Sequence, residues 1–176
     1  EAPAVAPLPM LSNGFITFGC FNSLLKINDK VIQLWSEILT SVENSKLFLK
    51  YGQLDSPSVR KRLIERFANQ GIDISRLILE GRSSREQYLA SYNRVDIALD
   101  PFPFAGGTTT AEALWMGVPV ISQHGTRWAG RISETILQSA GLDNFVVSDN
   151  NAYLKLAQEM ADNPTQLSQL RDGLRQ

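Results

Sequence analysis

A single cysteine, a single histidine and the lack of any long apolar run restrict what this 176-residue sequence can do. Cys20 alone forms no intrachain disulfide and no multi-cysteine metal centre, which fits a reducing compartment and makes the cytoplasm the expected location. His124, standing alone, excludes a histidine metal cluster and a paired-histidine acid/base site. No stretch approaches the roughly 20 apolar residues that cross a bilayer, and the opening Glu1-Ala-Pro-Ala lacks the basic-then-apolar order of a signal peptide. Neither sign of charge prevails: 17 Lys and Arg stand against 18 Asp and Glu, a net charge of -1, so no nucleic acid or membrane partner is expected. Two phosphate-binding signatures are missing as well. Without Gly-x-x-x-x-Gly-Lys-Ser/Thr, or Gly-x-Gly-x-x-Gly after the first strand, the sequence argues against an ATPase and a dehydrogenase. The missing initiator Met suggests a piece of something longer.

What is present is 43% hydrophobic content, enough over this length for one α/β core. Residues 1–14 read as a linker or packing arm, because Pro3, Pro7 and Pro9 among alanines, then Ser12-Asn13-Gly14, favour extended, unpaired backbone. Residues 15–176 read as one domain of repeated βα units on a parallel sheet. Strands are predicted at Ile16–Phe21, Leu47–Tyr51, Leu77–Leu79, Asp96–Leu99, Pro119–Ser122 and Phe145–Val147. Val31, Leu34, Trp35, Ile38 and Leu39 share one helical face. A second helix opens at Ser56-Pro57, a cap residue followed by the proline favoured at the first helical position, carries Val59, Leu63 and Phe67 on one stripe, and stops at Gly71. Others are predicted at about 84–93, 109–116, 128–139, 150–162 and 164–175.

In an open parallel sheet, ligands bind beyond the carboxyl ends of the strands. That edge collects Asn22 to Lys26, Gly81 to Arg85, Pro101 to Thr110 and Gln123 to Arg127. The strand-four loop is the most informative, since Gly106 and Gly107 permit close backbone approach and Thr108, Thr109 and Thr110 open a helix, whose amides attract phosphate. Two readings compete for Glu112: a Thr109-x-x-Glu112 capping box, or a carboxylate that accepts both hydroxyls of a ribose. Lys26 can reach a diphosphate on this edge or be a solvated loop cation. Arg85 sits at a helix amino end, unfavourable for a cation unless an anion joins it, while Ser83-x-x-Glu86 and Ser84-x-x-Gln87 both look like caps. Cys20-Phe21-Asn22 supplies no acidic pair for a phosphoacceptor receiver.

Two segments go further: Phe18-Gly-Cys-Phe-Asn-Ser-Leu-Leu-Lys-Ile27 and Asp96-Ile-Ala-Leu-Asp-Pro-Phe-Pro-Phe-Ala-Gly-Gly-Thr-Thr-Thr-Ala-Glu-Ala-Leu-Trp-Met-Gly-Val-Pro-Val120. They closely resemble the catalytic region of the SPINDLY and O-linked N-acetylglucosamine transferase family, with the likeness running from about residue 8 to the end. The resemblance implies a GT-B glycosyltransferase, of which this chain looks like the carboxyl-terminal, nucleotide-sugar-binding half: a Rossmann-like parallel sheet flanked by helices. It implies transfer of a sugar, N-acetylglucosamine from UDP-GlcNAc in the leading reading, to Ser or Thr hydroxyls of a protein.

By the same resemblance Lys26 neutralises the diphosphate and is the expected catalytic group, Thr108 and Thr109 bind phosphate, and Glu112 holds the ribose. Ser23, Ser83, Arg85, Tyr88, Gly106 and Gly107 complete the expected donor site. No metal or other cofactor is expected, only a UDP- or GDP-linked sugar as substrate. The protein acceptor would be met by the other half of the enzyme and an amino-terminal repeat array, so transfer by the 176 residues alone is not expected. Gly107 stands where the N-acetylglucosamine transferases have histidine, Ser23 where they have glutamine, and Tyr88 where they have histidine. These departures look more like the SPINDLY branch, whose plant members transfer fucose from a guanosine nucleotide. A GDP-fucose-dependent enzyme therefore stays open, as does a non-catalytic nucleotide-binding or interaction module.

Overall fold

The computed structural model describes residues 2–175; Glu1 and Gln176, the outer ends of the expected arm and domain, lie outside them. Six strands form one parallel sheet: β1 Thr17–Cys20, β2 Lys46–Lys50, β3 Leu77–Glu80, β4 Ile97–Leu99, β5 Val120–Gln123 and β6 Val146–Val147. Their spatial order is β3-β2-β1-β4-β5-β6, so the chain reverses direction across the sheet between β1 and β4. That pair is the switch point at which open α/β sheets bind ligands.

Side chains alternate across the pleat, which splits the core into two layers. Phe18, Leu47, Leu49, Ile97 and Ile121 face one layer, built with α2 (Asp29–Ser41), α3 (Pro57–Ala68) and α7 (Asn150–Ala161). Phe48, Ala98 and Val120 face the other, built with α4 (Arg85–Ser91), α5 (Thr108–Trp115) and α6 (Ile132–Ser139). The stripe expected on α2 is fully used: Val31, Leu34, Trp35, Ile38 and Leu39 are each at most 2% exposed. Burying one such side chain contributes about 1.5–3 kcal/mol, which outweighs any helix propensity difference. Local signals set the ends. The Asn28 side chain accepts from Val31 N and caps α2, Pro57 starts α3, and Gly71 at φ 79° turns the chain after it.

Three expectations need correction. The arm packs, as one of its two readings has it, but its backbone is not extended and unpaired throughout: Leu8 is 2% exposed, and Met10–Asn13 forms a one-turn helix, α1. Its sparse backbone groups find side-chain partners, with Ala6 N donating to Asn93 Oδ1 at 2.9 Å and Met10 N to Asp96 Oδ1 at 2.8 Å. Arg171, from the last helix α8 (Pro164–Gly173), donates to Ala6 O at 2.7 Å. Secondly, α6 begins at Ile132, because Trp128–Gly130 forms a separate 3₁₀ turn. Gly130 lies where two loops converge, and a Cβ there would come within 2.7 Å of Pro103 O. Thirdly, Ser56 makes no side-chain cap on α3, its hydroxyl pairing instead with that of Ser58.

Candidate functional site

The groups on the switch-point edge are joined through Asn22, the second residue beyond β1. Its side-chain oxygen accepts from Thr109 Oγ1 at 3.0 Å and from Lys26 Nζ at 3.4 Å. Lys26 lies at the end of a 3₁₀ turn, Leu24–Lys26, whose Leu25 amide is capped by the Ser23 hydroxyl. The ammonium is therefore not a freely solvated loop cation. It donates to Ala105 O at 3.0 Å and lies 4.5 Å from the centre of the Phe104 ring. Burial draws its pKa below the usual lysine value, opposed by the nearby Asp100 and Cys20.

The loop after β4 is held from within the sheet. Asp100, 1% exposed, accepts from Gly106 N at 2.7 Å and from Ser122 Oγ at 2.6 Å. Gly106 has no room for a side chain: a Cβ would stand 2.7 Å from Thr110 Oγ1, 2.8 Å from Thr109 Oγ1 and 2.9 Å from Asp100 Oδ1. Gly107 follows as the first flanking residue of α5 and makes no side-chain cap. The amides of the first turn, Thr108 to Thr110, have no acceptor inside their own helix, and its dipole adds positive potential there. Thr108 is exposed at this end, and Thr109 turns its hydroxyl towards Asn22.

At Glu112 one of the two readings of its spacing is not realised. The capping box is not formed; the carboxylate points sideways, accepting from Arg85 Nη1 at 2.5 Å and from Tyr88 Oη at 3.0 Å. Arg85 thus meets an anion at the start of α4, and that anion is Glu112. The helix itself is capped by the Ser84–Gln87 box, which leaves Ser83 exposed one residue outside it and the Ser83-x-x-Glu86 alternative unused. Tyr88 stacks edge-on to Tyr92 at 5.9 Å, and Tyr92 packs on Phe21 at 4.4 Å. Burial pushes both tyrosine hydroxyls well above their ordinary pKa, so they remain hydrogen-bond donors at neutral pH. The Tyr92 hydroxyl donates to Thr109 O at 3.2 Å, which ties the aromatic cluster to the first turn of α5.

The structure thus brings Lys26, Arg85, Tyr88, Gly106, Gly107, Thr108, Thr109 and Glu112 to one edge. Ser23 serves its own turn, and Ser83 has no part in the network just described. Asn22, Tyr92, Asp100 and Ser133 were not singled out from the sequence. Of these, only Asp100 carried a signal, an acid ending an apolar strand directly before a proline. Among the described residues no group of three or more His, Cys, Asp or Glu is arranged to hold a metal, and no helix is long and apolar enough to cross a membrane.

Residues 8–176 match the family described as Glycosyl transferase family 41. The chain is 41% identical over 177 residues to a probable UDP-N-acetylglucosamine--peptide N-acetylglucosaminyltransferase SPINDLY of Eustoma exaltatum subsp. russellianum, covering 100% of this chain and 19% of that protein. It is 26% identical over 162 residues to the UDP-N-acetylglucosamine--peptide N-acetylglucosaminyltransferase of Caenorhabditis elegans, covering 92% of this chain and 14% of that one. Among solved structures, a mutant O-GlcNAc transferase of Thermobaculum terrenum superposes with a TM-score of 0.93 at 37% identity, over 99% of this chain and 33% of that chain. The expected Rossmann-like sheet of a GT-B glycosyltransferase is the fold observed, and the chain spans about a fifth of the length of its SPINDLY relatives. By its sequence over nearly its whole length, the chain belongs to glycosyl transferase family 41.

Proposed function

We propose that this chain is the donor-binding part of a protein O-glycosyltransferase, transferring N-acetylglucosamine from UDP-GlcNAc to Ser or Thr hydroxyls. The observation that carries the reading is the convergence of Lys26 and Thr109 on one Asn22 oxygen at the open first turn of α5. A diphosphate placed there would exchange the Asn22 contacts for its own oxygens. The Lys26 ammonium, the Thr108 and Thr109 hydroxyls and the first-turn amides would then offset the charge that develops on the β-phosphate as the sugar leaves. Glu112 would accept the ribose hydroxyls, beside Arg85 and Tyr88 on the nucleoside side.

This assignment needs no metal, since the ammonium and the helix end supply the positive potential. The acceptor hydroxyl also needs a route for its proton. In this reading that route, the acceptor groove and the repeat array that selects proteins lie in the length of the relatives beyond the matched segment, and the enzyme works in the cytoplasm.

A second reading, transfer of fucose from a guanosine nucleotide, draws support from Gly107 and Tyr88 and from the higher identity to SPINDLY relatives than to the animal transferase. Titration with UDP and GDP separates the two, and a response to neither would favour an interaction module. In the full-length enzyme Lys26→Ala should abolish turnover, and retained turnover would refute the assignment.

A further inference from the structure

One feature of the edge is explained neither by ligand contact nor by core packing. Gly106 is gripped on both sides by fully buried polar groups, one just beyond β4 and one on α6. On one side its N–H donates to Asp100 at 2.7 Å. On the other its C=O accepts from the Ser133 hydroxyl at 3.0 Å. Ser133 is 0% exposed, sits in the first turn of α6, and shares a 2.7 Å contact with Thr110 Oγ1. Asp100 is braced in turn, its second oxygen by Ser122 at 2.6 Å and its own carbonyl by the Tyr153 hydroxyl at 2.9 Å.

Burying this many polar groups is costly unless each is satisfied, so an apolar filling would stabilise the fold as well or better. What the network adds is direction. A peptide bond is planar; the N–H lies in the Ala105–Gly106 plane and the C=O in the Gly106–Gly107 plane, so the two contacts fix both planes and with them the φ and ψ of Gly106. Gly106 is followed directly by Gly107, whose backbone at φ −145°, ψ −89° leads into α5. The tilt of the Gly106–Gly107 plane, held by Ser133, thus sets where the amides and hydroxyls of Thr108 and Thr109 point.

We propose that Asp100 and Ser133 are positioning residues for the donor diphosphate, acting together as a clamp on the two peptide planes that meet at Gly106, which aims the amino end of α5 at the diphosphate. The clamp rests on the donor-site reading above. It also links that site to the segment that precedes α6, because Ser133 moves with α6 and Ala105 N donates to Ala129 O at 3.3 Å. A shift of the 125–131 loop would therefore reach the phosphate site through Ser133.

The test is titration of UDP and of GDP into the protein and into Ser133→Ala and Ser133→Thr variants, with thermal unfolding of each. Ser133→Ala should weaken the preferred diphosphate about 3- to 10-fold, the span of one lost hydrogen bond, and Ser133→Thr, which keeps the hydroxyl, should stay within about twofold. A control is Ser45→Ala, which removes a buried hydroxyl bonded to Val42 O at 2.6 Å on the opposite edge of the sheet; it should lower stability and leave binding alone. Unchanged binding in a folded Ser133→Ala variant overturns the clamp, as does an equal loss in Ser45→Ala.

Hydrogen exchange on the unmodified protein gives an answer that requires no variant. The Gly106 amide should be protected as strongly as a β4 amide, and exchange at the rate of an open loop would also overturn the clamp. If the protein binds neither diphosphate, the donor-site reading falls and takes the clamp with it. If it binds one while Ser133→Ala is silent, only the clamp falls.

Discussion

The Arg85 guanidinium and the Glu112 carboxylate meet at 2.5 Å, although 65% of the Arg85 side chain is exposed against 10% of Glu112. The ion pair engages the Glu112 carboxylate, so in the proposed donor site a ribose that takes both of its oxygens has to displace Arg85 from one of them. Glu112→Ala is expected to weaken nucleoside diphosphate binding about 10- to 100-fold, since hydrogen bonds to a charged group contribute about 1.5–3 kcal/mol. Arg85→Ala should change affinity far less, because an exposed pair is largely screened. Calorimetry with a 2′-deoxy nucleotide isolates the contact: the analogue should bind worse than the parent nucleotide to the unmodified protein, and equally to Glu112→Ala. Equal binding of both nucleotides to the unmodified protein would remove Glu112 from the ribose.

Two glycines give opposite expectations. A Cβ on Gly106 would crowd Thr110, Thr109 and Asp100 at 2.7–2.9 Å, while one on Gly173 in α8 would meet nothing within 4 Å. Gly106→Ala should therefore shift the loop and reduce diphosphate affinity at least about tenfold, the effect of losing one well-made charged contact. Gly173→Ala should leave binding untouched and raise stability by up to about 1 kcal/mol, the helix propensity difference. Unfolding midpoints and titrations on the same samples check both, and a Gly106→Ala protein that binds normally would show that the loop relaxes without consequence.

Much of this fold is legible in the sequence because its signals are local. The α2 stripe, the Ser84–Gln87 box, the proline at the start of α3 and the β-branched runs each act over a few residues. What was misread depended on distant partners. The arm looks unpaired until Arg171, 165 residues away, is placed against Ala6. Glu112 sits at a spacing that suits a cap, and what draws it away from the cap is Arg85 and Tyr88, 27 and 24 residues earlier. Ser133 could not be seen, because nothing around it in the sequence shows that it faces the Gly106 carbonyl. Lys26, Gly106 and Thr109 were accessible for a different reason: they follow strands, and the parallel topology brings all such residues to one edge.

Asp96 gives a pH test of the packed arm. It is fully buried, accepts from Met10 N and Thr17 N at 2.8 Å, and faces Arg171, yet burial raises its pKa to about 6. Its folded pKa lies above the unfolded value, so the folded state binds the extra proton, and the stability it adds is lost as pH rises through about 6. Between pH 4 and 7 the stability of the unmodified protein, relative to Asp96→Asn, should fall by up to about 3 kcal/mol, at 1.36 kcal/mol per unit. Urea unfolding at both pH values measures it. A constant difference would mean that the two backbone donors and Arg171 hold the carboxylate ionised throughout.

The last expectation concerns the charge on Lys26. Burial lowers its pKa, and the nearby Asp100 opposes that shift. A diphosphate favours the charged form, which means the bound pKa exceeds the free one. Affinity should therefore be flat while free Lys26 is protonated, then fall about tenfold per pH unit once pH passes the free pKa, below the ordinary lysine value of 10.5. Asp100→Asn removes the opposing charge and should move the onset of that fall to lower pH, a shift separate from any loss of neutral-pH affinity through the Gly106 contact. Lys26→Arg supplies the contrast, since a guanidinium stays protonated across the range and its profile should show no such limb. If the unmodified protein and Lys26→Arg lose affinity in parallel, the alkaline limb belongs to another group, and the diphosphate charge is not carried by Lys26.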